Sequence, residues 1–286
     1  MLAACALVAV LGFAVSSAGR KALHALDQDY LGERLFEIRG RFHEGEDWRQ
    51  ADVLQRPQDY RWTSVTPGTV RVAHALGEAA GNGANTLPAM LRAHALGFRV
   101  FEVDLSLNAG IVRCHHGPAA PAPWQTGECR LESLLDALPA DSWLVLDIKT
   151  DFQTTGAKIV EAARLRGKAS QLVFQLYRPA HLALFNAWQN ASPELPGPLV
   201  TAYLAYRSVN HVARHAARVG VHVLTMPIQR VPAYTERPPG LSLYVHPVHD
   251  CLGWAQAAAL RAQGAYVLSS MDCPGMGATT EKPTTR

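Results

Sequence analysis

Two histidines enclose a pair of carboxylates in this chain, in the order His74, Glu102, Asp104, His115, and a third acid, Asp147, follows inside the run Leu144-Val145-Leu146-Asp147-Ile148-Lys149. Each stands at the end of an apolar run that reads as a strand. Glu102 and Asp104 are two residues apart, and the period of two in a strand puts both carboxylates on one face. Like charges at that spacing repel, and a hard cation between them is the economical way to keep both ionised. Imidazole titrates near neutral pH and can take or give a proton. Acids that hold a hard metal cation beside two proton-transfer groups make the chemistry of a metal-assisted phosphodiesterase. The cation on Glu102, Asp104 and Asp147, with Lys149 assisting, neutralises the non-bridging phosphate oxygens; one histidine takes a proton from the attacking hydroxyl and the other protonates the leaving alkoxide. His74 is assigned as base and His115 as acid, with the reverse left open. The attacking hydroxyl belongs either to water or to the substrate itself, which would form a cyclic phosphate first.

Residues this far apart in sequence meet only if the fold gathers strand ends. From Thr69 onward short apolar runs alternate with helical segments. The strands are expected at Thr69 to His74, Arg99 to Leu105, Trp143 to Ile148, Gln171 to Tyr177, Leu199 to Leu204, Val221 to Met226, Leu241 to His246 and Ala265 to Ser269. Helices are expected at Thr86 to Leu96, with Asn85 as N-cap and Gly97 as terminator, and at Leu131 to Leu138, Thr155 to Arg166, Pro179 to Gln189, Ser208 to Val219 and Leu252 to Gln263. After Met226 the link is short and proline-rich, so that helix is expected to be reduced or missing. Eight strands in β/α alternation predict an α/β fold, a TIM (β/α)8 barrel whose carboxyl-end mouth collects the polar residues.

Further members of the mouth are weaker. Gln175 and Tyr177 alternate on one strand ahead of Arg178-Pro179 and would both face the substrate, and His246 lies at another strand end. His94, His211 and His215 fall on helical patterns and read as structural. Gly81-Asn82-Gly83-Ala84 lacks the lysine and spacing of a phosphate-binding loop and reads as a turn leading to the Asn85 cap.

The chain has 286 residues, of which 48% are hydrophobic, enough to bury one barrel-sized core. A formal charge of +3 without any basic stripe argues against nucleic acid as the main partner. Leu2 to Ala18 is uncharged and mostly apolar, ends in small residues and is followed by Arg20-Lys21. It has the length of a signal-peptide core and reaches the short limit of a membrane span, so residues 1–19 are expected to be a signal peptide or an anchor. The protein is then membrane-associated or exported, on a side the sequence leaves open. Residues 20–68 are expected as a leader packing on the barrel, 69–273 as the barrel, and 274–286 as a disordered tail. Cys114 with Cys129 and Cys251 with Cys273 could bridge neighbouring loops in an oxidising compartment, and would be free thiols in cytosol.

The stretch from Val72 to Gly117, with His74-Ala75-Leu76-Gly77, Gly97-Phe98-Arg99-Val100-Phe101-Glu102-Val103-Asp104-Leu105 and Ile111-Val112-Arg113-Cys114-His115, resembles the glycerophosphodiester phosphodiesterase family. So do Leu146-Asp147-Ile148-Lys149 and the late run Leu243-Tyr244-Val245-His246-Pro247-Val248-His249-Asp250. The resemblance spans about Thr69 to Asp272, and its first block is the specific part. It implies a TIM barrel that hydrolyses or transesterifies phosphodiesters with a divalent cation, usually Ca2+ or Mg2+, His74 and His115 as the catalytic histidines, Glu102 and Asp104 as metal ligands, and Lys149 on the phosphate. Asp147 stands where many members have Glu and the related sphingomyelinase D enzymes have Asp. Three departures concern the substrate: Ala75 replaces an arginine common after the first histidine, His116 replaces an acid after the second, and a frequent Thr-x-Asp-Gly turn is reduced to Leu107-Asn108-Ala109-Gly110.

The leading expectation is therefore a metal-dependent phosphodiesterase acting on glycerophosphodiesters or phospholipid headgroups, in contact with a membrane through its N-terminal segment. A phospholipase of the sphingomyelinase D or phosphoinositide-cleaving kind is the enzymatic alternative. A barrel that binds phosphorylated lipid or sugar without turnover is the third, and two proton-transfer histidines speak against it.

Overall fold

Runs of Val, Leu, Ile and aromatic residues become parallel strands here because both of their faces are covered, one by the strand ring itself and the other by helices. The computed structural model describes residues 51–66, 68–79, 83–117, 129–202 and 208–276. Its strands are β1 (Val70–Ala73), β2 (Val100–Asn108), β3 (Ile111–Cys114), β4 (Trp143–Ile148), β5 (Leu172–Leu176), β6 (Leu199–Thr201), β7 (Val223–Pro227), β8 (Ser242–Val248) and β9 (Gly264–Val267). Each pairs in parallel with the next along the order β1-β9-β8-β7-β6-β5-β4-β2, and β1 pairs with β2 to close the ring. The eight expected strands are thus the eight staves of a closed barrel. The ninth, β3, was not expected; it folds back antiparallel on β2 as a hairpin through Ala109-Gly110, both in the left-handed region.

The helices are α1 (Leu87–Ala95), α2 (Leu131–Ala137), α3 (Phe152–Leu165), α4 (Pro179–Ala191), α5 (Val209–Arg218) and α6 (Cys251–Ala259). Side-chain caps start four of them: Thr86 on the Ala89 amide, Asp151 on Thr154, Ser208 on His211 and Asp250 on Gly253. After β7 only a 3-10 helix, Ile228–Ala233, remains where the proline-rich link allows no full helix.

The alternation along each strand decides where the chemistry sits. On β2, Phe101, Val103 and Leu105 turn outward into the large core shared with the helices, while Val100, Glu102 and Asp104 turn inward. Inward residues at the strand starts are apolar, Val72, Val100, Val145, Val173, Leu199 and Val223, and they pack around Tyr244 and Tyr266. Trp62, just ahead of β1, is fully buried in the same inner cluster, 5.6 Å from the Tyr244 ring, with its indole N–H on the Gly197 carbonyl at 3.2 Å. The segment ahead of the barrel therefore does more than pack on its outside. Two disulfides, Cys114–Cys129 and Cys251–Cys273, tie the loops after β3 and β9 to their neighbours. Expectations on residues 1–50, on Ala80-Gly81-Asn82, on Leu204 and on residues 277–286 lie outside the described residues, among which no helix is long and apolar enough to cross a membrane.

Candidate active site

Register places the acids. Cα partners across the β2–β4 ladder are Glu102 with Val145 and Asp104 with Asp147, so the second and third carboxylates lie side by side at the carboxyl ends of adjacent strands. All three acids are buried, and one oxygen from each lies within 4.8 Å of the other two. Lys149 reaches in from the end of β4, with Nζ 3.0 Å from Asp104 Oδ1 and 2.7 Å from Asp147 Oδ2. Three carboxylates against one ammonium leave two negative charges, the charge of one divalent cation, and all-oxygen donors suit a hard ion. Glu102, Asp104 and Asp147 fit such an ion on these grounds.

The electrostatics express the same excess. Burial first, then the charges of Asp104 and Asp147, push the Glu102 carboxyl well above its ordinary range. Burial also raises Asp147, against the pull of Lys149. Burial opposes the Lys149 ammonium, yet Asp147 and Asp104 together hold its pKa above the usual lysine value. Asp147 is further fixed by Tyr177, whose hydroxyl donates to Oδ1 at 2.7 Å, and by Gln175, whose Nε2 donates to Oδ2 at 3.2 Å. Gln175 and Tyr177 thus reach the site as their alternation implied, but they grip an acid there.

His74 ends β1 and opens a single 3-10 turn, His74–Gly77, in which Ala75 (φ 48°) and Leu76 (φ 65°) adopt left-handed conformations. Such backbone persists where surroundings over-determine it. Here the Ala75 amide donates to Glu102 Oε2 at 2.8 Å, so a backbone donor occupies the place after the first histidine. His74 Nε2 lies 3.9 Å from the same oxygen. Burial foremost, then the neighbouring imidazole of His249, lowers His74 to about 4, so the ring is neutral at pH 7 and the contact is no ion pair. Its Nδ1 lies 2.7 Å from His249 Nε2. His246, inward on β8, is held at about 3 by burial, followed by His74.

These groups line a cavity of about 990 Å³, whose wall includes His74, the three acids, Lys149, Gln175, Tyr177, His246 and Tyr266. His115 does not line it. Its backbone N–H is tied to the Asp104 carbonyl at 2.8 Å, and its ring Nδ1 turns to the Gly117 carbonyl at 2.8 Å. The adjacent His116 lines the cavity instead, because the chain leaves the β2–β3 ladder at Cys114 and strand alternation no longer governs which ring points inward. Of the two adjacent imidazoles, His116 is thus the one on the cavity wall, and His115 lies beside it.

Three participants were not foreseen. Asn85 was expected to cap α1; Thr86 does so, and Asn85, with φ 56°, spends its amide on Asp104. Asparagine is among the few residues that tolerate this backbone region, which is the signal that was available. His249 contacts His74, and nothing in its spacing pointed to that. The third is Phe152, which lines the cavity and stacks on His181 with ring centroids 3.7 Å apart.

No family model matches the chain, and no curated protein matches it by sequence. Solved structures do. A glycerophosphodiester phosphodiesterase from Parabacteroides distasonis aligns over 70% of this chain and 92% of its own, at 13% identity and a TM-score of 0.54. A phosphodiesterase from Oleispira antarctica, solved in complex with the product sn-glycerol-3-phosphate, aligns over 70% of this chain and 93% of its own, at 14% identity and a TM-score of 0.50. At such identities the comparison concerns architecture: the chain has the barrel fold of glycerophosphodiester phosphodiesterases of solved structure.

Proposed function

We propose that the chain is a metal-dependent phosphodiesterase that hydrolyses glycerophosphodiesters. The observation that carries the reading is the meeting of three buried carboxylates, Lys149, His74 and His116 on one cavity at the carboxyl ends of the strands. Relatives in fold that cleave such diesters, one of them holding sn-glycerol-3-phosphate, support the substrate class.

Glu102, Asp104 and Asp147 would hold one divalent cation, Ca2+ or Mg2+, which when bound neutralises charge on the non-bridging oxygens. Lys149 adds a fixed positive charge beside that position, and Tyr177 and Gln175 keep Asp147 oriented. His74, neutral at pH 7, removes a proton from the attacking hydroxyl at Nε2, and His116 gives one to the leaving oxygen; exchange of these two roles is the reverse assignment. His246 stands on the wall as a substrate contact. Both disulfides support a place of action in an oxidising compartment, exported or held at a membrane by the N-terminal segment.

The test is release of alcohol from a panel of glycerophosphodiesters and lysophospholipids, with and without chelator, by wild type and His74→Ala. The panel includes lysophospholipids because Phe152, Leu184 and Ala180 give the cavity an apolar side. Chelator-sensitive turnover that falls by about 100-fold or more in the variant is expected. Equal turnover by both proteins, or none by wild type with any cation, refutes the proposal.

A further inference from the structure

We infer that His249 is a positioning residue for His74: it accepts the Nδ1 proton of His74 and so keeps Nε2 as the nitrogen that exchanges protons at the cavity. The inference deepens the phosphodiesterase reading and rests on it, since the proton-transfer role of His74 decides which ring owns the shared proton.

The contact is short. His74 Nδ1 and His249 Nε2 are 2.7 Å apart, with ring centroids at 4.9 Å and planes inclined by 35°. Two facing lone pairs, or two facing N–H groups, would repel at that separation, so one proton lies between the rings. It belongs to one of them, and the ring that owns it determines the tautomer of His74.

Proton bookkeeping at His74 decides the owner. As a base, His74 needs a lone pair on Nε2, so its neutral form carries hydrogen on Nδ1. As an acid, it starts as imidazolium, again with hydrogen on Nδ1, and returns to the same neutral tautomer after giving up the Nε2 proton. In either role Nδ1 donates, and His249 Nε2 accepts throughout the cycle. The opposite arrangement, with His249 donating, leaves Nε2–H on a neutral ring, which has no lone pair to offer at Nε2 and no proton there acidic enough to give up.

Both partners are anchored. His74 is fixed by the left-handed turn at Ala75 and Leu76, and His249 sits between the end of β8 and the first turn of α6, where Asp250 caps the Gly253 amide and Cys251 is bridged to Cys273. Charge explains why an imidazole suits this place. A carboxylate acceptor would add a fourth negative group to a cluster that already carries three, whereas a neutral nitrogen orients His74 and leaves the excess for the cation.

The experiment compares wild type, His249→Ala and His249→Gln, whose amide oxygen is a neutral acceptor of similar reach. Two quantities are read: kcat and KM on the best diester of the panel, and the ring-nitrogen 15N shifts of His74. Because His249 is exposed, its removal leaves the core intact. In wild type, His74 is expected as the Nδ1–H tautomer. The alanine variant is expected to lose that preference and about 10- to 100-fold in kcat with little change in KM, and the glutamine variant to recover most of both. A wild-type kcat in His249→Ala, or Nε2–H on neutral His74 in wild type, overturns the inference. Absence of any diesterase activity would count against the functional reading alone, since the tautomer measurement needs no substrate.

Discussion

The amide of Asn85 holds Asp104 by two bonds at once: its Nδ2 donates to the carboxylate Oδ2 at 2.8 Å, and its Oδ1 accepts the Asp104 backbone N–H at 3.0 Å. The pair fixes both the strand and the side chain of one prospective ligand, and asparagine is among the residues that tolerate its φ of 56°. Partners of this kind tune metal affinity by about 10- to 100-fold. Asn85→Ala should therefore weaken divalent-cation binding by that factor in calorimetry, with activity recovering at high cation concentration. Unchanged affinity would show that Asp104 needs no such support.

His115 and His116 give the site a discriminating pair of variants. His116 lines the cavity, and His115 spends its ring on the Gly117 turn. His116→Ala is expected to lower kcat by about 100-fold or more, the scale of a lost general acid or base. His115→Ala should cost less than about tenfold. The inverse ranking in steady-state assays would favour His115, the histidine that the spacing and the family resemblance pointed to.

Acid stability should report on His181. Its ring lies flat on Phe152, its Nδ1 accepts the Tyr177 amide at 3.2 Å, and burial lowers its pKa to about 4. An unfolded histidine titrates near 6.5. Because the folded value is the lower one, protons bind the unfolded chain first, and stability present above pH 6.5 is lost as pH falls toward 4. His181→Phe keeps the stack and removes the titration. Its melting temperature should fall less steeply between pH 6.5 and 4 than that of wild type, at a cost at pH 7 of about 1 kcal/mol for the lost acceptor. Parallel slopes would rule His181 out as the source.

Gly264 faces Tyr244 across the β8–β9 ladder, and a Cβ at that position would stand 2.1 Å from the tyrosine ring. Tyr244 is fully buried in the barrel interior, so the ring has nowhere to retreat. Gly264→Ala is expected to destabilise by about 3 kcal/mol, the upper end for overpacking. Denaturant unfolding gives the value; a loss below 1 kcal/mol would mean that the inner layer yields more than its packing implies.

The barrel was legible because each stave carries its own signal. Trp143–Ile148 has the bounds expected of it, and Glu102 and Asp104 share the inward face that their spacing required. Hydrophobic period and strand ends depend on local sequence, and so does the Ser208 cap of α5. What stayed hidden depends on where loops travel. The hairpin strand β3 is only four residues long, and the step from His115 to His116 lies beyond its last paired residue. The contact between His74 and His249 joins positions 175 residues apart, and no local period encodes it. Asn85 was misread because capping and ligand support use the same side-chain chemistry, and a neighbour, Thr86, could cap equally well.

Trp62 turns the barrel into a vessel with a floor. Its indole is wholly buried in the inner cluster of valines and tyrosines and is latched to the Gly197 carbonyl, so among the described residues this part of the interior is filled by side chains. A diester taken up as proposed, and its two products, would then pass on the side of the barrel that His74, His116 and His246 line.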